Sequence, residues 1–262
     1  MSLSVGTALQ DGWSTFRRTP WTFVFFALFA FVLSTLVDYI PGFAGIIATT
    51  LVDLWATVGL IRGAWLGLNG ERPSFGDLIK VNVPAIWRLF IRQFLLTVLL
   101  GVISTTAAIL AVKVANAGEL AQSIYWRMQV IDLSNTEAIN LLSTELQDLA
   151  FAVLGSPVAI LILLIAAVIA VYIQVNQAFL GFLAVVKGAA PIATFRAGFR
   201  TVKGHWWSVL GLLVMQLLIL LLGLIAIGFG LLAAVPVVVC STASAYRQLF
   251  GVDDAKGVLA SR

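Results

Sequence analysis

The chain has 262 residues, of which 61% are hydrophobic and 11% charged, and its mean hydropathy is +1.04. Soluble domains are about half apolar and a quarter charged, so composition excludes one and implies an all-α integral membrane protein. The net charge of +4 would suit nucleic acid, but the basic residues flank apolar runs, where topology and anionic lipid account for them, and no nucleic-acid partner is expected.

Residues 3–20 place Leu9, Trp13 and Phe16 at helical spacing, with Arg17 and Arg18 close behind, which predicts an amphipathic helix lying in the headgroup layer. A first span is expected over about Trp21–Ile40, a turn at Pro41-Gly42, and a second span over Phe43–Leu68. The first apolar run is too long for a cleavable secretory segment. Residues 70–90 read as a second amphipathic segment, with Phe75, Leu78, Ile79, Trp87, Leu89 and Phe90 on an apolar side and Lys80, Arg88 and Arg92 as its charges. A third span, Phe94–Val114, leads to a polar excursion over 116–148, in which Ser134-Asn135-Thr136-Glu137 starts a helix. The fourth span runs from Pro157 to about Val186, a third amphipathic segment from Pro191 to Gly204, and the fifth and sixth spans over Trp206–Phe229 and Leu231–Leu249.

Glycines at 70, 188 and 251 follow apolar runs, and Pro73 and Pro191 follow the first two, the pattern of helices that must stop. Sliding the sequence on itself matches Gly12, Trp13, Thr15, Arg17 and Trp21 to Gly198, Phe199, Thr201, Lys203 and Trp207. The expected architecture is six transmembrane helices in three pseudo-repeats, each an interfacial amphipathic helix plus two spans. The repeats cover 1–70, 71–188 with the external excursion, and 189–251, leaving 252–262 as a tail.

All but two of the sixteen Lys and Arg, Lys113 and Arg127, then fall on one side. The positive-inside rule puts that side, with both termini, in the cytoplasm, and the acidic excursion outside. Trp13, Trp21, Trp65, Trp87, Trp206 and Trp207 gather near the same boundary, as interfacial anchors would. A bacterial plasma membrane is the default location; an internal photosynthetic membrane would leave the same trace.

Asp53 is the sharpest candidate for chemistry, because a carboxylate inside a span is costly and faces a partner or a wet cavity. Thr50 and Thr57 extend it into a polar stripe, read either as an ion-coupling site or as hydrogen bonding that fixes packing. Gly59, Gly63 and Gly67 form a small-xxx-small face, suited to close packing within the chain or to a homo-oligomer contact. Arg17, Arg18, Arg196, Arg200 and Lys203 are candidates for anionic-lipid contact. One cysteine, Cys240, and one histidine, His205, leave no disulfide framework, thiolate cluster or His-based zinc site. No phosphate-binding loop, dinucleotide fingerprint or serine elbow occurs. No enzyme activity, metal or cofactor is expected.

The Gly-Trp-x-x-Phe-Arg of Gly12–Arg17 and the Gly-Phe-Arg-x-x-Lys of Gly198–Lys203, each opening a helix-plus-two-spans unit, resemble a broad group of bacterial polytopic membrane proteins. That group includes the membrane domain fused to some glycerophosphodiester phosphodiesterases; no catalytic phosphodiesterase domain is present here. The resemblance implies a fold and carries no site residue. The expected function is non-enzymatic: organising or assembling a membrane protein complex, or associating with lipid. The alternative is a small transporter or channel subunit coupled through Asp53.

Overall fold

A computed structural model describes residues 3–131, 135–187, 191–226 and 228–252. In chain order they form α1 (Val5–Arg18), α2 (Pro20–Asp38), α3 (Gly42–Leu68), α4 (Phe75–Ile79), α5 (Val83–Val114), α6 (Gly118–Val130), α7 (Thr136–Leu154), α8 (Pro157–Asn176) and α9 (Leu180–Phe182). A π-helical turn (Leu183–Lys187), α10 (Pro191–Val202), a 3₁₀ turn (Lys203–His205), α11 (Trp206–Ile225) and α12 (Leu231–Phe250) follow. Five stretches are long and apolar enough to cross a membrane: Pro20–Asp38, Gly42–Leu68, Val83–Val114, Pro157–Asn176 and Gly198–Ile225. The chain is a polytopic helical membrane protein.

The described residues up to Phe94 and from Gln174 onward form one compact unit; Leu95–Ile173 form another. In the first, α3 is the central element, contacting α1, α2, α4 and α12. Phe23 and Phe26 of α2 are fully buried, and Phe26 stacks obliquely on Trp55 of α3 with ring centroids 5.2 Å apart. On another side, Tyr246 of α12 is fully buried among Trp65, Phe179, Phe182 and Phe250. The polar C-terminal half of α12 buries Ser241, Ser244 and Tyr246 in protein, so apolar side chains for lipid are not required there. In the second unit, the excursion is a helical hairpin. Arg127 of α6 grips Glu145 of α7 bidentately, at 2.8 and 3.0 Å. The Asn135 side chain caps α7 by accepting from the amides of Glu137 and Ala138; Ser134 lies outside the described residues.

The structure corrects three expectations. The amphipathic segment over 70–90 is not one helix: α4 spans five residues, and Trp87, Arg88, Leu89, Phe90 and Arg92 belong to the opening turns of α5. Asn82 accepts from the Ala85 amide and Pro84 follows it, so a helix start falls inside the segment. The fourth span stops at Asn176 instead of continuing to Val186, and Leu183, Ala184, Val185 and Val186 lie buried in the first unit. Trp65 is 2% exposed and therefore a core residue, while Trp13, Trp21, Trp87 and Trp207 are exposed.

Of the three glycine stops, Gly70 has φ +85° and closes α3 with a Schellman pair, Gly70 N–H to Gly67 O and Glu71 N–H to Leu66 O, both 3.1 Å. Gly251 ends α12, also at φ +85°; Gly188 lies outside the described residues.

Candidate functional site

The last turns of an α-helix leave carbonyls with no partner along the helix. In α3 the carbonyls of Trp65 and Gly67 already accept from the Asn69 and Gly70 amides, and each takes a further bond from an arginine of another helix. Arg18, the last residue of α1, donates Nη1–H to Gly67 O at 3.4 Å. Arg247 of α12 donates Nη2–H to Trp65 O at 3.2 Å and to Asn69 Oδ1, and its guanidinium lies 4.3 Å from the Trp65 ring centroid. Cations at a helix C-terminus also meet the negative end of its dipole.

Three helices converge there because small residues permit it. A Cβ on Gly12 of α1 would fall 2.6 Å from the Ser241 backbone nitrogen of α12, and one on Gly67 would fall 2.4 Å from Thr15 Cγ2. The junction encloses an open cleft of about 370 Å³ lined in part by Asp11, Ser14, Arg18, Ser244, Arg247 and Gln248. Ser244 donates to Asp11 Oδ2 at 2.8 Å, and Gln248 Oε1 accepts from the Ser4 amide at 2.9 Å. A second recess, carrying Trp13 and Arg17, shares Ser14 and Arg18 with the cleft.

Other arginines follow the same logic. Arg62 is 4% exposed and donates Nη1–H to Asp77 O and Lys80 O, at 3.1 and 3.0 Å, holding the end of α4 against α3. The Trp55 indole adds a bond to Ile79 O. Arg88 donates to Ala184 O in the π-helical turn, and buried Arg92 donates to Arg88 O. Arg92, read from sequence as a surface charge, is thus a core residue.

The other candidates lie apart from this junction. Asp53 is exposed and accepts from Ser34 Oγ at 3.3 Å. It borders a recess of about 320 Å³ with Asp38, Thr49 and Thr50. The Thr50 and Thr57 hydroxyls bond the carbonyls of Ile46 and Asp53, not the Asp53 carboxylate. Cβ atoms on Gly59 and Gly63 would press on Leu78 and on Phe26 or Phe23, which places both glycines against α4 and α2. Arg17, Arg196, Arg200 and Lys203 are exposed, and no hydrogen bond or ion pair engages them among the described residues.

Asp11, Arg62, Ser244 and Arg247 are the residues that sequence reasoning missed as a site. Arg62 alone carried a signal, being a charge inside an apolar run. No family model, curated protein or solved structure matches the chain.

Proposed function

We propose that the chain is a non-enzymatic membrane protein that associates with anionic lipid through its basic flank and by this means organises or assembles a membrane protein complex. The observation that carries the reading is the set of exposed basic side chains with no partner among the described residues, Arg17, Arg196, Arg200 and Lys203, beside exposed indoles at Trp13, Trp21 and Trp207. Arg196 and Arg200 stand one helical turn apart on α10, with Lys203 three residues on, so they form one cationic face. Each basic residue near an anionic leaflet contributes about 1 kcal/mol, and indoles prefer the same depth.

In this reading α12 is the sixth span, its polar half shielded by α1 and α3, and α1 and α10 are the corresponding interfacial helices of a repeated unit. The charge asymmetry supports a cytoplasmic side for both termini in this reading, with a bacterial plasma membrane as the default location. The fold would belong with the group that the Gly12–Arg17 and Gly198–Lys203 motifs resemble.

The test is extraction of the tagged protein in native lipid patches followed by mass spectrometry of what it retains. Enriched anionic lipid or a stoichiometric partner protein is expected, with enrichment falling in the R196Q/R200Q/K203Q variant. Bulk lipid composition with no partner would overturn the proposal. A second reading, an ion-conducting subunit, draws on the exposed Asp53 beside Asp38 in a polar recess; flux in proteoliposomes that survives Asp53→Asn would remove it.

A further inference from the structure

The cleft between α1, α3 and α12 is more specific than a basic surface. Its depth is set by the chain: Arg18 stands two residues before Pro20, where one candidate span begins, and Gly67 lies in the last turn of another. A polar cleft at the ends of two spans sits at the level of lipid headgroups. Its donors are incompletely used. Arg18 commits only Nη1 to the protein, leaving Nε and Nη2. Arg247 and Gln248 line the same cleft, and Arg247 Nε and Gln248 Nε2 are buried with no acceptor among the described residues, which costs free energy. Asp11 lines the same cleft and uses Oδ2 for Ser244, which leaves Oδ1 as an acceptor.

We infer that this cleft binds the headgroup of a phosphodiester lipid that carries hydroxyls, of the glycerol or inositol class. The guanidiniums of Arg18 and Arg247 take the phosphate oxygens, as planar forks suit phosphate, and Asp11 Oδ1 accepts a headgroup hydroxyl. Two guanidiniums against one carboxylate leave one positive charge, which a singly charged phosphodiester neutralises; the carboxylate disfavours a bare phosphate carrying two charges. The simpler role, bonding the α3 carbonyls, uses Arg18 Nη1 and Arg247 Nη2 and leaves the other donors and Asp11 Oδ1 unused.

The inference rests on the lipid-association reading, and one experiment separates the two. The full chain in detergent is mixed with equimolar phosphatidylglycerol, phosphatidic acid and phosphatidylcholine, and native mass spectrometry reads the first bound lipid. Phosphatidylglycerol is expected to dominate. Arg18→Gln should lower its occupancy about tenfold, the loss of charge-assisted hydrogen bonds, and Arg18→Lys should recover only part of it. Asp11→Asn, which keeps an acceptor for Ser244, should abolish the preference for phosphatidylglycerol over phosphatidic acid.

R196Q/R200Q should leave this first lipid in place. Thermal unfolding of each variant identifies any that fail to fold; Asp11→Asn, which touches no carbonyl cap, keeps the test decisive. No preference of the native chain for either anionic lipid over phosphatidylcholine would overturn the lipid-association reading itself. Anionic selection unchanged in Arg18→Gln and Asp11→Asn would overturn the cleft alone. Displacement of the lipid by millimolar glycerophosphoglycerol, the same phosphodiester headgroup without acyl chains, would assign the cleft to a soluble phosphodiester and overturn the lipid assignment.

Discussion

The two ends of α3 are built oppositely. At its C-terminal end, Trp65 is buried under Arg247, the carbonyls of Trp65 and Gly67 accept from arginines, and α1 approaches so closely that Gly67 has no room for a Cβ. Toward its N-terminal end, Phe43, Ile46 and Leu51 are exposed, and the polar groups are short local pairs, Thr49 with Asp38 and Ser34 with Asp53. Charge is spent at one end on fixing the backbone of several helices, whereas at the other it stays on the surface. A carboxylate within an apolar run drew attention in the sequence, yet the arginines determine how the first unit is assembled.

The largest effect that would break this contrast is expected at Arg62. Replacement by Met keeps most of the buried volume but leaves the Asp77 and Lys80 carbonyls without their donor, at a cost of about 3 kcal/mol. A clear fall in the unfolding midpoint of the purified protein is expected, and Asp53→Asn, at an exposed position, should change it far less. Equal effects at the two positions would dissolve the distinction.

Close packing along α3 gives the next effect and an internal ranking. A Cβ on Gly59 would stand 2.5 Å from the backbone oxygen of Leu78, which cannot give way cheaply, whereas at Gly63 the nearest atom is a Phe23 ring carbon at 3.0 Å. Gly59→Ala should therefore cost about 2 kcal/mol, and Gly63→Ala less. Gly101, with nothing within 4 Å of its added Cβ, should tolerate alanine. Thermal denaturation of the three variants checks the order; a neutral Gly59→Ala would mean that α3 and α4 do not meet as described.

What was legible in the sequence follows from what each feature requires. A span needs about twenty apolar residues in a row, so α2, α3, α5, α8 and α11 announce themselves. The Gly70 stop was equally plain, since few residues accept its positive φ. An arginine that caps a carbonyl, by contrast, has a backbone partner that every residue possesses, so Arg62, Arg88 and Arg247 left no matching residue type to find. The false helix over 70–90 arose because the apolar spacing of Phe75 to Phe90 runs across the break at Asn82 and Pro84 without changing period. The cleft was illegible for a related reason: Asp11 and Ser244 are brought together across 233 positions of chain.

The smallest effect expected concerns α4, the short helix that Arg62 holds. Ser74 and Asp77 form a capping box: the Ser74 amide and hydroxyl donate to Asp77 Oδ2 at 3.0 and 2.7 Å, and the Asp77 amide donates back to Ser74 Oγ. These bonds from Ser74, with a smaller part from Lys80 at 3.2 Å, favour the ionised carboxylate and hold its pKa below the ordinary value. A pKa depressed in the folded state stabilises the fold above the unfolded carboxyl's pKa, and that contribution is lost as pH falls through the lower, folded value. The stability difference between the native chain and Asp77→Asn should accordingly be constant from neutral pH down to the usual carboxylate range and shrink below it. Ser74→Ala should weaken the pH dependence, because the hydroxyl that donates to the carboxylate at 2.7 Å goes with it while the backbone amide stays. A difference that persists undiminished at pH 3 would show that α4 depends on the arginine behind it and not on its own cap.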